Sequence, residues 1–357
     1  MLSHHLLSLG FKNSLVDSSL FVLHQGADLI YFLVYVDDLL ITGNNPQLVD
    51  QIITQLSASF ALKDLGQLHF FLGIEVVTTP KGILLSQQKY AMDLLVKAGM
   101  SDCRPCSTPS SLRHDDDSTK APMSNPEMYR SLVGSLQYLT LTRPELSFAV
   151  NSVCQHMHMP LECHFTAVKR ILRYIKGTLD QGLLFSKGAL SLAAFSDADW
   201  AGSSVDRRST GGYCVFLGQN LISWSAKKQA TVARSSTEAE YKALTNAASE
   251  LVWLLQLFKD LHTPVFSAVP TLWCDNNSAL ALATNPVFHA HTKHIEVDFH
   301  FVREKIALKQ LHVRHVPSDF QIADIFTKPL PVARFLCLKD KLMLSSIPAS
   351  VCGGLSE

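Results

Sequence analysis

Two apolar periods alternate along the chain, and each change of period marks an element boundary. Runs over 20–24, 29–36 and 39–42 are rich in leucine, valine, isoleucine and aromatics and predict strands. Asp37 and Asp38 stand at the tight turn between the second and third runs. After Gly43-Asn44-Asn45-Pro46, the spacing of Val49, Ile52, Ile53, Leu56 and Phe60 predicts a helix. Residues 68–77 and 83–86 predict paired strands around Pro80-Lys81-Gly82, and 90–98 a helix ending at Gly99. Proline, serine and the run Asp115-Asp116-Asp117 then dominate 101–125, which reads as a solvated loop and the clearest boundary. Helical spacing resumes over 129–141, 148–156 and 163–176, and with no strand signal this block reads as a helical connector.

From Leu190 the period changes again. Residues 190–195, 212–217 and 221–225 predict three strands, and 238–261 a long helix. A strand over 269–274, helices over 278–284 and 297–308, a strand over 311–316 and a final helix starting at 321–327 follow. That order predicts a mixed sheet with helices on its faces, within an α+β chain. The tail beyond about residue 340 is expected to fray.

Composition narrows the class. The chain has 357 residues, 47% hydrophobic and 17% charged, which excludes a largely disordered protein and suggests about two or three domains. Lys plus Arg and Asp plus Glu both number 31, so global charge gives no support to nucleic-acid binding. The apolar stretch 29–41 is cut by Asp37 and Asp38 and is too short to span a bilayer. The N-terminus lacks the pattern of a signal peptide. Eight scattered cysteines are expected to be reduced. Cys103 and Cys106 have a zinc-like spacing, but no second pair follows and His114 alone does not complete a site, so they read as a loop feature.

Four acidic residues are hard to place structurally. Asp197 and Asp275 follow apolar strands, whose ends can converge on one crevice. Glu240 shares a helical face with Leu244, Ala248, Leu251 and Leu255, so its carboxylate points toward the sheet, where an unpaired charge is costly. Glu238 instead fits a capping box with Ser235. Asp324 alone reads equally well as an acidic residue favoured at a helix start. Taken together, the four carboxylates would balance two divalent hard cations such as Mg²⁺, which could activate a water and stabilise the leaving oxygen in phosphodiester cleavage.

The segments Ser196-Asp197-Ala198-Asp199-Trp200, Ser235-Ser236-Thr237-Glu238-Ala239-Glu240-Tyr241, Cys274-Asp275-Asn276-Asn277 and Ala323-Asp324-Ile325-Phe326-Thr327-Lys328-Pro329-Leu330 resemble the ribonuclease H domain of copia-type retrotransposon Pol polyproteins. The resemblance implies an RNase H-like five-stranded mixed sheet over 190–335. It also implies Mg²⁺-dependent cleavage of the RNA strand of RNA–DNA hybrids. The family's four catalytic and metal-binding carboxylates map onto Asp197, Glu240, Asp275 and Asp324, with Asp199 secondary. His315 stands where related enzymes place a histidine that assists turnover, or is a half-buried strand histidine. Between 201 and 235 the charges sum to +4, and Arg207, Arg208, Lys227 and Lys228 become candidates for phosphate contacts. Lys169, Arg170, Arg173 and Lys176 offer a second basic helix face, while Trp200 and Trp224 read as core residues before nucleic-acid contacts.

Upstream, Tyr35-Val36-Asp37-Asp38 and its flanks resemble the C-terminal half of a copia-type reverse transcriptase. Those flanks include Leu65-Gly66-Gln67-Leu68, Phe71-Leu72-Gly73-Ile74-Glu75, Cys106-Ser107-Thr108-Pro109 and the connector's Tyr129-Arg130-Ser131-Leu132-Val133-Gly134. The division expected is a partial palm with its following segment over 1–110, a helical connection over 111–189, the RNase H-like domain over 190–335 and a tail over 336–357. A third polymerase aspartate belongs well upstream of Tyr35, and neither Asp17 nor Asp28 replaces it, so Asp37 and Asp38 are expected to be the remnant of a polymerase site without activity in this chain alone. The alternative to a nuclease is an inactive element relic that at most binds nucleic acid. The resemblance places family members in cytoplasm and nucleus and makes an RNA–DNA hybrid the expected partner; with no membrane-spanning stretch, no membrane partner is expected.

Overall fold

The computed structural model describes residues 1–112, 121–263, 269–284 and 293–347, with side chains described from 298 in the last segment. The Asp115–Asp117 run, His114 and the extreme C-terminus therefore lie outside the described residues. Two units are present, one made of 1–72 with 249–263 and one of 73–248 with the described residues from 269.

In the first unit, helix α1 (Leu2–Ser8) precedes strands β1 (Lys12–Asn13), β2 (Leu20–Gln25), β3 (Asp28–Tyr35) and β4 (Asp38–Gly43). They form one antiparallel sheet in sequence order. Helix α2 (Pro46–Ser59) and the short strand β5 (Phe70–Phe71) follow. Asn45 caps α2 by accepting a hydrogen bond from the Leu48 N–H at 3.2 Å, with Pro46 in the first helical turn. Leu6, Phe11, Phe21, Leu23, Ile30, Phe32, Ile52 and Leu56 make its core. The last turns of α7 (Ser236–Asp260) belong to this unit too. There Asp260 Oδ2 accepts from Ser14 Oγ and the Leu15 N–H, each at 2.7 Å.

The second unit carries an antiparallel run in the order β14-β8-β7-β6, made of β6 (Ile74–Thr79), β7 (Gly82–Ser86), β8 (Gln181–Phe185) and β14 (Leu344–Ser346). Helices α3 (Gln88–Lys97), α4 (Pro126–Leu139), α5 (Ser147–Cys154) and α6 (Glu162–Lys176) lie between β7 and β8 in the chain. A mixed sheet in the order β11-β10-β9-β12-β13 follows, from β9 (Leu192–Asp199), β10 (Thr210–Leu217), β11 (Asn220–Lys228), β12 (Thr271–Cys274) and β13 (His312–His315). The first three strands are antiparallel; β12 runs parallel to β9, and β13 to β12. The chain leaves the β11 edge through α7 and returns beside β9, which completes the five-stranded mixed sheet expected from the sequence. Helices α8 (Asn277–Thr284) and α9 (Lys293–Ala307) separate β12 from β13, and α10 (Val332–Asp340) precedes β14. Among the described residues no helix is long and apolar enough to cross a membrane.

Three expectations are corrected. The connector holds a strand, β8, because the short run Leu183-Leu184-Phe185 finds partners far away in sequence, in β7 and β14. The tail is ordered as far as 347, since β14 pairs with β8 and buries Leu342 and Ile347. The segment after Gln321 is a short 3₁₀ turn, Ile322–Phe326, rather than the start of a long helix; Pro329 and Pro331 break the chain before α10 begins. The connector helices also share one core with the mixed sheet. Leu132, Val150, Val153 and Ile171 cluster with Cys214, Phe216, Ile325, Phe326 and Phe335.

Gly212 of β10 sets the closeness of that packing. It lies opposite Asp197 in the register, and a Cβ there would stand 2.7 Å from Phe326 Cβ and 2.8 Å from Thr327 Cγ2. Gly211, next to it, has nothing closer than 3.4 Å. Gly212→Ala is expected to destabilise the protein by about 1–3 kcal/mol through overpacking. Gly211→Ala should be neutral or stabilising by a few tenths of a kcal/mol. Urea denaturation midpoints at constant m-value check both, and equal midpoints for the two variants would refute the close-packing account.

Candidate active site

The apolar strand β9 carries Asp197 to a position only 2% exposed. At the start of α7, Ser235 Oγ accepts from the Glu238 N–H at 3.2 Å, and Glu238 Oε2 accepts from the Arg234 N–H at 2.8 Å. Glu238 also pairs with Lys242 at 2.8 Å. That capped start turns Glu240 inward on the face of the buried Leu244, Ala248 and Leu251. Asp275 leaves the end of β12, half-buried, and its Oδ2 accepts from Ser318 Oγ at 3.1 Å. Asp324 sits in the 3₁₀ turn, which Gln321 pins to the sheet by donating to the Ser196 carbonyl at 2.9 Å.

One oxygen of Asp197 accepts from the Thr327 hydroxyl, and Lys328 Nζ lies 3.3 Å from that same oxygen. Lys328 Nζ is also 2.7 Å from Asp324 Oδ1, and Arg334 Nη2 is 3.1 Å from Asp324 Oδ2. Ligand-type atoms of Glu240, Cys274 and Asp275 lie within 4.8 Å of one another, the only such trio among the described residues. Glu240 Oε2 is buried and has no hydrogen-bond partner among the described residues.

The electrostatics follow from burial. Burial, reinforced by Asp197 and Asp275, pushes the Glu240 carboxyl up to about 9. Burial also raises Asp197, to about 6; Asp324 and Asp275 add to the rise, and Lys328 and the Thr327 hydroxyl oppose it. Burial works against the Lys328 ammonium, but Asp197 and Asp324 outweigh it and hold its pKa above the usual range. Burial raises the Cys274 thiol as well, keeping it a neutral neighbour. The available donors are thus carboxylate oxygens around one buried, unpartnered oxygen, a set suited to a hard divalent cation such as Mg²⁺.

The other predicted residues are placed as follows. His315 is exposed at the end of β13, in register with Cys274. Arg207 and Lys227 are exposed, whereas Lys228 and Arg208 pair with Asp206 at 2.9 and 3.6 Å. Arg170 and Arg173 are spent on the loop at 104–108, donating to Thr108 Oγ1 and the Arg104 carbonyl. In that loop Cys106 Sγ lies 3.5 Å from the Thr108 carbonyl and 3.4 Å from that of Arg170. Trp224 packs on the core, and Trp200, half exposed, donates to the Ala233 carbonyl. Asp37 and Asp38 lie exposed at the β3–β4 turn of the other unit. There Val36 adopts φ +50°, a strained value for a β-branched residue. Among the described residues no third ligand-type side chain gathers with those two aspartates within 4.8 Å. Sequence reading missed Thr327, Lys328, Arg334 and Gly212 as parts of the site. Thr327 and Lys328 stand three and four residues after Asp324, a spacing that could have flagged them; Arg334 and Gly212 gave no such signal.

Residues 1–112 match the family model described as reverse transcriptase (RNA-dependent DNA polymerase). The chain is 48% identical over 355 residues to a retrovirus-related Pol polyprotein from transposon RE2 of Arabidopsis thaliana, covering 98% of this chain and 24% of that protein. It is 47% identical over 353 residues to the RE1 counterpart from the same plant, with the same coverage. The chain thus spans about a quarter of the length of the Pol polyproteins it matches. Among solved structures, LC11-RNase H1 in complex with an RNA/DNA hybrid aligns at 16% identity and a TM-score of 0.30, over 38% of this chain and 94% of that one.

The raised carboxyls predict the pH response of the metal-free protein. Each binds its proton more tightly folded than unfolded, so stability is greatest below the unfolded value near 4 and falls as pH rises through about 6 and then about 9. The steepest slope should be about 1.4 kcal/mol per pH unit for each titrating group. Denaturation in EDTA from pH 4.5 to 9.5 measures it, and Glu240→Gln should flatten the upper part of the curve. A wild-type stability that rises across pH 7–9 would refute the assignment.

Proposed function

We propose, from the premise that the chain belongs to the copia-type retrotransposon Pol family, that residues 190–335 cleave the RNA strand of RNA–DNA hybrids with the aid of Mg²⁺. The observation that carries this reading is Glu240 Oε2, a buried carboxylate oxygen beside Asp275 with no hydrogen-bond partner among the described residues. An unpaired charge there is costly, and a divalent cation relieves the cost. Asp197, Glu240, Asp275 and Asp324 would hold two such ions. When bound, the ions supply the Lewis acidity that activates a water and stabilises the leaving oxygen of a phosphodiester.

The chain's own residues do the rest. Thr327 orients Asp197, Ser318 orients Asp275 and Arg334 orients Asp324, each by a hydrogen bond to the carboxylate. These bonds hold the oxygens in place before substrate arrives, as preorganised sites require. Arg207 and Lys227, both exposed near the Asp197 end of the sheet, contact phosphates of the hybrid, whereas Arg208 and Lys228 support the loop through Asp206. His315, exposed one residue in register from Asp275, carries protons at the rim during turnover.

A labelled RNA–DNA hybrid incubated with the purified chain tests the reading. RNA-strand cutting should require Mg²⁺, stop with EDTA, and fall by about two orders of magnitude or more in Asp197→Asn. Absence of cutting by a folded wild-type chain would leave a protein that at most binds nucleic acid. Neutralising Arg207 and Lys227 together should weaken hybrid binding without sequence preference and lower the slope of log affinity against log salt by roughly 2. An unchanged slope would place the contact face elsewhere.

A further inference from the structure

The carboxylate cluster is occupied unevenly by the chain's own cations. Lys328 Nζ fills the space between Asp197 and Asp324, 3.3 and 2.7 Å from an oxygen of each. Those carboxylates are 2% and 10% exposed, whereas the lysine side chain is 39% exposed, so the ammonium reaches in from the rim on a flexible stem. Arg334, the other cation, is held by backbone carbonyls as well; its Nη2 donates to the Ser318 carbonyl at 2.6 Å. Among the described residues Lys328 has ion pairs only with the two carboxylates it bridges. Among the described residues the Glu240–Asp275 side has no ion pair: Glu240 Oε2 is without a hydrogen-bond partner and Asp275 is bonded to a serine hydroxyl.

We propose that Lys328 is a built-in competitor for one arm of the cluster. It neutralises Asp197 and Asp324 in the metal-free protein and withdraws to the rim when a divalent ion takes them, while the Glu240–Asp275 arm stays open to the first ion. This rests on the reading that the cluster holds divalent ions. The physical case is one of exclusion. An ammonium 2.7 Å from a carboxylate oxygen stands where a metal ligated by that oxygen would repel it. The same ammonium limits the repulsion between Asp197 and Asp324, which would otherwise push the 3₁₀ turn away from β9. The lysine is thus a positioning residue in the metal-free state and a cost to metal entry.

The test is calorimetric titration of Mn²⁺ into the full chain, as wild type, Lys328→Gln and Lys328→Arg, with melting in EDTA alongside. The wild type should bind one ion more tightly than a second. Lys328→Gln should bind the weaker ion roughly tenfold tighter with the stronger one little changed, and should melt lower in EDTA. Lys328→Arg, which keeps the cation, should resemble the wild type. In the wild-type chain itself, acetylation of the Lys328 amine read by mass spectrometry should rise several-fold at saturating Mn²⁺. Mn²⁺ binding by Lys328→Gln that is no tighter than wild type, or Lys328 labelling that does not rise, overturns the proposal while leaving the metal site standing. No Mn²⁺ binding by any of the three overturns both.

Discussion

Four carboxylates drawn to the ends of neighbouring strands in one sheet repel one another, and much of the surrounding structure opposes that repulsion. Asp197, Glu240 and Asp324 are all nearly buried, where charges interact more strongly than in water. Asp324 is held between Lys328 and Arg334, Asp197 by Thr327 and Lys328, and Asp275 by Ser318. Glu240 keeps a buried oxygen without a hydrogen-bond partner among the described residues, so part of the remaining imbalance collects there. A proton can relieve it, and so can a divalent cation.

The support for this arrangement comes from beyond the mixed sheet. The 3₁₀ turn bearing Asp324 is fixed by Gln321 on one side, and Ile325 and Phe326 enter the core shared with α4, α5 and α6. Gly212 lets that turn approach β10 directly across from Asp197. The connector is therefore structural for the site: its helices form the floor on which Asp324, Thr327 and Lys328 stand.

Positive charge is divided in the same way between structure and surface. Lys228 and Arg208 neutralise Asp206, and Arg170 and Arg173 bind the loop that passes over α6. Arg207 and Lys227 remain outward. In a chain of zero net charge, a few exposed cations near the site, rather than a strong overall field, must then carry any attraction for phosphate.

Three of the four carboxylates follow a local rule in the sequence; Asp324 by itself reads equally well as a helix-start acid and stands out only beside the other three. Asp197 lies near the end of one apolar strand, Asp275 directly follows another, and Glu240 breaks the apolar face of a helix whose capping residues, Ser235 and Glu238, announce its start. The strands β9 to β12 and the helix α7 were legible for the same reason, since periodicity and caps act over a few residues. Strand β8 was not, because its partners β7 and β14 lie about a hundred or more residues away in the chain and a short apolar run is ambiguous without them. Nor was the 3₁₀ turn, whose course is decided by Gln321 reaching Ser196 and by the absence of a side chain at Gly212. The counter-charges Lys328 and Arg334 belong to that second class. The sequence by itself determined which side chains would be costly to bury. Only the tertiary structure decided which cations would meet them, because pairing depends on distances between segments that no local pattern encodes.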